Sequence, residues 1–182
     1  MDIIKTFIER YNGKYSEEVE KSTHTPIGKY SSQAKRGNAL YKGNKIIVSI
    51  NEVGGADRIS ELFRMKLILD NSFDAELLVF PRSYWSRKLK ILLSGKNESL
   101  AKSISQQYKF SGAKELISKL MLNSKFLNKI DGEFVCINHS MKTPNIIIIT
   151  PSHGYRSVEH LENLAETLTL VKSIIVDTHN TG

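Results

Sequence analysis

The sequence has little cysteine: Cys136 is the single thiol among 182 residues. One thiol cannot form an intramolecular disulfide, which indicates a reducing compartment. Long apolar runs are missing as well, since the longest, Ile146 to Ile149, is far shorter than the ~20 residues that span a bilayer. The first residues, Met-Asp-Ile-Ile-Lys, lack the basic-then-apolar order of a signal peptide. We therefore expect a cytoplasmic protein without a membrane span.

Sequence signatures of catalysis are missing too. The chain contains no glycine-rich phosphate loop, no Gly-x-Ser-x-Gly elbow and no His-Glu-x-x-His helix. A structural zinc site needs four Cys or His ligands, but Cys136 and His139 would point to opposite faces of a strand. We therefore expect no metal, no cofactor and no catalytic residue of a recognised class.

Acidic residues are scarce in the middle of the chain. The net charge is +7, and residues 82–129 hold 11 Lys or Arg against only Glu98 and Glu115. Residues 131–182 carry 3 basic and 6 acidic side chains. A local excess of this kind indicates an anionic partner, although lysines also cover exposed helix faces in proteins without one. The basic and acidic segments could also pair with each other, within one subunit or between two.

The first 80 residues predict one helix followed by strands. Apolar residues at helical spacing predict a helix over 2–12 that Gly13 ends. Residues 14–38 are polar without a period, so we interpret them as a loop with one short strand at most. Between 39 and 80, alternating residues predict four strands in an antiparallel meander. The turns between these strands fall at Gly43-Asn44, Gly54 to Asp57 and Asp70 to Ser72.

The second half predicts helices and strands in alternation. The helices are a short one near 89–95, one over 111–122 with Ser111 as N-cap, and one over 157–172 capped by Ser157. Strands are predicted at 108–110, 134–138 and 146–149, and a frayed tail at 177–182. We expect one α+β domain over 1–182, with six or seven mostly antiparallel strands packed on one face by three main helices. Strands followed by a helix at 39–93 and again at 105–172 suggest two similar halves, without a residue-level repeat.

Two segments are candidate binding sites. The segment from Arg82 to Lys88 mixes cations with aromatic rings, the chemistry that binds single-stranded nucleic acid. The loop His153-Gly154-Tyr155 precedes the last helix, where free N–H groups favour anions and a histidine can titrate near neutral pH. Core packing is the more common role of a tryptophan, and ordinary turn chemistry is the more common role of such a loop. The candidate anion or nucleic-acid contacts are Arg82, Trp85, Arg87, Lys88, Lys114 and Lys119.

Asp74 and Glu76 are two residues apart, so a strand would place both carboxylates on the same face. Such a pair could act as acid and base, but no nucleophile or histidine lies near it in sequence. Partners of Arg64 and Lys66 across the sheet are the plainer interpretation.

Five stretches between Gly37 and Ile174 form a recognisable order. They are Gly37-Asn-Ala-Leu-Tyr-Lys-Gly-Asn-Lys-Ile-Ile-Val, Phe63-Arg-Met-Lys-Leu, Phe73-Asp-Ala-Glu-Leu, Tyr108-Lys-Phe-Ser-Gly and the closing helix. In this order the chain resembles a loosely defined, uncharacterised α+β domain found in many bacterial proteins. Such domains often follow membrane helices in longer chains, and this sequence has none. The resemblance implies a fold and no activity or site residue.

The sequence favours a non-enzymatic binding or interaction module, with a protein partner or a second copy of the chain as the expected partner. One alternative is sequence-tolerant nucleic-acid binding through the basic segment 82–129. The other is an enzyme whose dispersed site lies around His153 and uses Asp74 and Glu76.

Overall fold

Ten strands and five helices make up the part of the chain that the structure describes. The computed structural model describes residues 2–25, 28–50, 63–82 and 99–180, of which 21–32 by their backbone alone. The helices are α1 (Ile3–Arg10), α2 (Leu100–Gln107), α3 (Lys114–Leu122), α4 (Ser124–Ile130) and α5 (Val158–Asn180). The strands are β1 (Lys14–Glu17), β2 (Lys21–Thr25), β3 (Gly28–Ser32), β4 (Lys35–Tyr41), β5 (Asn44–Ile50), β6 (Arg64–Ile68), β7 (Leu77–Pro81), β8 (Tyr108–Gly112), β9 (Val135–Ser140) and β10 (Thr143–Pro151).

Eight of these strands form one antiparallel sheet in the order β1-β4-β5-β6-β10-β9-β7-β8. The predicted α+β class and the antiparallel pairing are therefore confirmed, with eight strands in place of six or seven. Strands β1, β4, β5 and β6 form one group of neighbours and β10, β9, β7 and β8 form the other, and the pairing of β6 with β10 joins the two groups. None of the described helices is both long and apolar enough to cross a membrane.

The predicted N-terminal helix is confirmed as α1. Asp2 caps it, since its side chain accepts a hydrogen bond from the Lys5 backbone N–H. Its apolar stripe, Ile4, Phe7 and Ile8, is buried against the sheet. Gly13 follows where β1 passes close to β4, and any Cβ at this position would lie 2.2 Å from the Asn38 carbonyl oxygen.

The prediction of a loop over 14–38 was wrong. Strands β1 and β4 pair with each other, and β2 and β3 continue the same ribbon beyond the sheet. Strand β1 is mostly exposed, so its residues are polar on both sides and show no apolar alternation. Hydrogen bonds between the two backbones form this ribbon. Because its side chains do not alternate between apolar and polar, the sequence pattern does not reveal its strands.

The predicted hairpin between β4 and β5 is confirmed, with its turn one residue earlier. Lys42 and Gly43 have φ values of 48° and 77°, and Tyr41 pairs with Asn44. Two positive φ values in a two-residue loop define a type I′ turn, whose twist matches that of the strands. The prediction that Gly43 and Asn44 are the two turn residues was therefore wrong by one position.

The predicted four-strand meander ends after three strands, because β10 and β9 lie between β6 and β7. The connection after β6 passes the end of β10, where Leu69 N–H and Phe73 N–H donate to the Asn145 and Pro144 carbonyls. The predicted turn and helix at 54–57 and 89–95 lie outside the described residues.

All five described helices form one layer over one side of the sheet, and their apolar residues share a core with that side.

Two predicted helix ends were wrong. Ser111 lies within β8, and Ala113 precedes α3. Helix α5 continues through Asp177 to Asn180, because packing of His179 edge-on against Phe73 holds the polar end in place. Ser157 caps its start as predicted, accepting from the His160 N–H.

Candidate anion-binding face of the sheet

The sheet has one side without a described helix, which we call the open face. Successive side chains of a strand alternate between the two sides, and the buried residues of each strand mark the side under the helices. The open-face residues are Lys14, Ser16, Arg36, Asn38, Leu40, Lys45, Ile47, Ser49, Arg64, Lys66, Ile68, Leu78, Phe80, Lys109, Ser111, Cys136, Asn138, Ser140, Ile146, Ile148 and Thr150.

Basic residues dominate the charge of the open face. Six of its 21 residues are Lys or Arg, and none is acidic in the eight strands, all of which the structure describes. The one acidic residue in these strands, Glu17, lies on the helix side and accepts a hydrogen bond from the Tyr15 hydroxyl at 2.7 Å. The charge of the open face therefore has a single sign. Its cations are Lys14, Arg36, Lys45, Arg64, Lys66 and Lys109.

On the helix side, by contrast, cations lie beside carboxylates. Glu166 on α5 receives Lys129 at 2.7 Å and Lys42 at 3.1 Å. Their hydrogen bonds hold the pKa of this carboxyl below its usual value. Arg10 reaches Glu162 of the same helix at 2.8 Å. The acidic C-terminal segment thus neutralises cations of its own chain.

One row of residues crosses the open face from one edge of the sheet to the other. Lys14, Asn38, Ile47 and Lys66 are direct neighbours across four adjacent strands. The row continues through Ile148, Asn138, Leu78 and Ser111 to the far edge of the sheet. At about 4.8 Å per strand, it spans roughly 34 Å. The charged residues of this row, Lys14 and Lys66, lie on β1 and β6, and the four strands beyond β6 contribute aliphatic, amide and hydroxyl groups.

A second row brings two arginines together. Arg36 lies opposite Ser49, and Ser49 lies opposite Arg64 on the other side. Ser49 is only 1% exposed, and its hydroxyl has no hydrogen-bond partner among the described residues. Two arginines are thus the cross-strand neighbours of one buried serine.

The part of the open face formed by β9, β7 and β8 carries an aromatic ring and a thiol. Lys109 on β8 lies over the ring of Phe80, with Nζ 5.7 Å from its centroid. Cys136 is half-buried, and its burial raises the pKa of the thiol, which keeps it protonated. Cys136 therefore lacks the properties of a nucleophile.

The structure separates the residues predicted from the basic segment. Arg82 donates from Nε to the Ser105 and Tyr108 carbonyls at 3.2 and 3.1 Å, which ties β7 to the junction of α2 and β8. Lys114 and Lys119 lie on α3 in the helix layer, and Lys119 is 3.0 Å from Glu115. Lys109, from the same segment, lies on the open face. The remaining predicted contacts, Trp85, Arg87 and Lys88, lie outside the described residues.

The loop before α5 does not bring its three candidates together. Tyr155 packs against Phe63 with ring centroids 5.1 Å apart, whereas His153 is exposed and meets the edge of Phe134 at 5.7 Å. Gly154 has a φ of 70° and serves the turn. At the start of α5, the backbone N–H of His160 already donates a hydrogen bond to the capping hydroxyl of Ser157.

The carboxylates Asp74 and Glu76 lie far from His153. They are exposed in the connection before β7, near the Pro144 end of β10, whereas His153 follows the other end of that strand. The nine residues of β10 place roughly 27 Å between these ends. Three or more potential metal ligands do not cluster anywhere within the described ranges.

The comparisons with known proteins add no relative: no family model, curated protein or solved structure matches the chain. The resemblance to a bacterial domain therefore stays a prediction. What can be said of function comes from the open face and its geometry.

Proposed function

We propose that the chain is a non-enzymatic binding module that holds a single-stranded nucleic acid on its open face. The observation that carries this proposal is the charge of that face, with six cations and no carboxylate in its eight strands. A surface whose charged residues have one sign attracts a polyanion. The proposal keeps the nucleic-acid alternative suggested by the sequence and moves it from segment 82–129 to the sheet.

The spacing of the cations favours a linear polymer over a compact anion. They come from five strands, and the outermost, Lys14 and Lys109, belong to the two edge strands of the sheet. A flexible single strand can cross the roughly 34 Å between these edges, contact the five cations of β1, β4, β5 and β6 and reach Lys109 on β8 at the other edge.

The apolar residues of the open face suit the bases of such a strand. Ile47, Ile148 and Phe80 lie between the cations and are half-buried. Apolar and aromatic contacts accept any base, and phosphate contacts carry no sequence information. We therefore expect affinity without marked sequence preference.

The test is a fluorescence-anisotropy titration with labelled single-stranded RNA and DNA of about 16 nucleotides. If all six cations contact phosphates, the slope of log K against log salt concentration is about −4. Absence of binding at low salt contradicts the proposal and points to a protein partner instead.

Two matched variants locate the binding surface. The first replaces Lys14, Lys66 and Lys109 on the open face with Glu, and the second replaces Lys114, Lys119 and Lys125 on the helix side. Both change the net charge by the same amount. The open-face variant is expected to lose binding and the helix-side variant to keep most of it. The reverse result would return the site to segment 82–129.

A further inference from the structure

The cations of the open face are divided unevenly between its two groups of strands. Of its 21 residues, eleven belong to β1, β4, β5 and β6, and five of these are Lys or Arg. The other ten belong to the described strands β10, β9, β7 and β8, where Lys109 at the edge is the one charged residue. We call the two parts the cationic half and the aliphatic half. A ligand that covers both halves needs a charged part and an uncharged part.

The aliphatic half contains a continuous cluster around Asn138. This residue lies opposite Ile148 on one side and opposite Leu78 on the other. Residues two apart on a strand share a face, so the cluster continues to Ile146 on β10 and to Phe80 on β7. Leu78 and Asn138 are exposed, and the other members are half-buried. These side chains form one uncharged surface.

In the cationic half, by contrast, the apolar residues lie beside lysines. Leu40 lies opposite Lys45, and Ile47 lies opposite Lys66. Ile68 follows Lys66 by two positions and therefore shares its face of β6. The cationic half thus offers little uncharged surface of its own, and its main contacts with a polyanion are expected to be ionic.

An unpaired nucleic acid strand has the two parts that such a face requires. Its phosphates carry the charge, and its bases present flat rings with donors and acceptors at their edges. The two halves meet where Lys66 lies opposite Ile148, one strand spacing of about 4.8 Å away. A strand that crosses this boundary can therefore bind by phosphates on one side and by bases on the other. A duplex cannot, because its bases stay stacked inside the helix.

We infer that the cluster around Asn138 is a subsite for unpaired bases, whereas the phosphates of the same strand bind to the cationic half. Ile148 and Leu78 contact the faces of the rings. The Asn138 amide both donates and accepts, so it suits the edge of any base, whereas a phosphate would use only its donors. The inference rests on the proposed function for the identity of the ligand and adds where the two parts of that ligand lie.

The test compares two double variants that remove the same groups from the two halves. The first combines Leu78→Ser with Asn138→Ala in the aliphatic half. The second combines Leu40→Ser with Asn38→Ala in the cationic half. All four side chains are exposed and uncharged, so both variants are expected to fold and both keep the net charge. Melting temperatures close to that of the wild type check this expectation.

Each protein is titrated with a labelled single-stranded DNA of about 16 nucleotides and with an end-labelled inorganic polyphosphate of similar charge, which has no bases. We expect the first variant to bind the DNA about tenfold more weakly than the wild type, because contacts with bases are lost. Its salt dependence is expected to stay the same, since no phosphate contact is removed. The second variant is expected to bind the DNA within about twofold of the wild type, because its cations remain. Both variants are expected to bind polyphosphate as the wild type does.

The results that overturn the inference differ from those that overturn the proposed function. DNA binding that the first variant leaves unchanged, or that both variants weaken equally, would overturn the base subsite and keep the open face as the binding surface. Wild type that binds polyphosphate as tightly as DNA would also overturn the subsite, because the bases would then contribute nothing. Absence of DNA binding by the wild type at low salt overturns both.

Discussion

The two sides of the sheet treat charge in opposite ways. Under the helices, Arg10, Lys42 and Lys129 each lie within 3.1 Å of a carboxylate on α5. On the open face, six cations share one surface without a single acidic neighbour in the strands. The helix side therefore places these cations beside carboxylates of the same chain, whereas the strands of the open face supply cations and no carboxylate. The same strands supply both sides, because successive side chains of a strand point to opposite sides of the sheet. The difference in charge therefore arises from which positions along each strand carry Lys or Arg.

The largest expected effect comes from the difference in packing between the two sides of the sheet. Ile149 is fully buried under the helices, whereas its neighbour Ile148 lies half-buried on the open face. We expect Ile149→Ala to reduce the free energy of unfolding by about 2–5 kcal/mol, because it leaves a cavity in the core. Ile148→Ala is expected to cost less than half as much. Urea denaturation measures both, and equal losses would show that the open face is packed like the core.

The next effect concerns a polar group in the core. The Tyr108 hydroxyl donates to the Ile130 carbonyl at 2.8 Å and accepts from the Val135 N–H at 3.3 Å. Its burial raises the pKa of Tyr108 to about 12. Tyr108→Phe leaves a buried carbonyl and a buried N–H without this partner, so we expect a loss of about 1–3 kcal/mol. A loss below that range in urea denaturation would mean that both groups find other partners.

The pH dependence of stability provides the next comparison, because the helix side contains a buried titratable group, His160. Burial lowers the pKa of His160; the Glu133 carboxylate, 3.1 Å from its Nε2, opposes the shift, and Arg156 adds to it. The folded chain therefore binds this proton less readily than the unfolded chain, for which the reference pKa is 6.5. Stability contributed by the neutral ring is complete above that value and falls as the pH drops below it.

The urea midpoint of the wild type is therefore expected to fall more between about pH 7.5 and about pH 5.5 than that of His160→Gln, which lacks the titrating ring. Parallel midpoints for the two proteins across this range would contradict the assignment of the pH effect to His160.

The smallest expected effect breaks an ion pair on the helix side. Glu166→Gln removes the partner of Lys42 and Lys129, which are partly exposed. Exposed pairs contribute little, so a loss below about 1 kcal/mol is expected near neutral pH. Because the folded pKa of Glu166 lies below its reference of 4.5, this contribution is present above that pH and disappears in more acidic solution. If the wild type and Glu166→Gln have equal free energies of unfolding at neutral pH, solvent screens these ion pairs fully.

Local patterns predicted much of the fold. Alternation of Met65 and Leu67 with Arg64 and Lys66 places the cations on the side opposite the core, as the structure shows. Helical spacing predicted α1 and α5 for the same reason: each has one stripe that must be buried. The ribbon over 14–38 was missed because hydrogen bonds between backbones form it without such a stripe.

The open face could not be assembled from the sequence, because its residues are distant along the chain. Lys14 and Lys109 belong to opposite edges of the sheet, and only the strand order puts them on one surface. Counting charge along the chain selected 82–129 instead, and the described lysines of that segment lie partly on the open face, as Lys109 does, and partly in the helix layer, as Lys114 does. The outward position of Arg64 and Lys66 was the one local signal for the open face.

Isoleucine methyl NMR tests the central claim most directly, because isoleucines mark both sides of the sheet. Ile47 and Ile148 lie on the open face among the cations, whereas Ile117 lies on α3 near Lys114 and Lys119. When a single-stranded oligonucleotide is added, we expect the methyl signals of Ile47 and Ile148 to shift and that of Ile117 to stay in place. A shift confined to Ile117 and its neighbours in the helix layer would contradict the account and assign binding to the helix side.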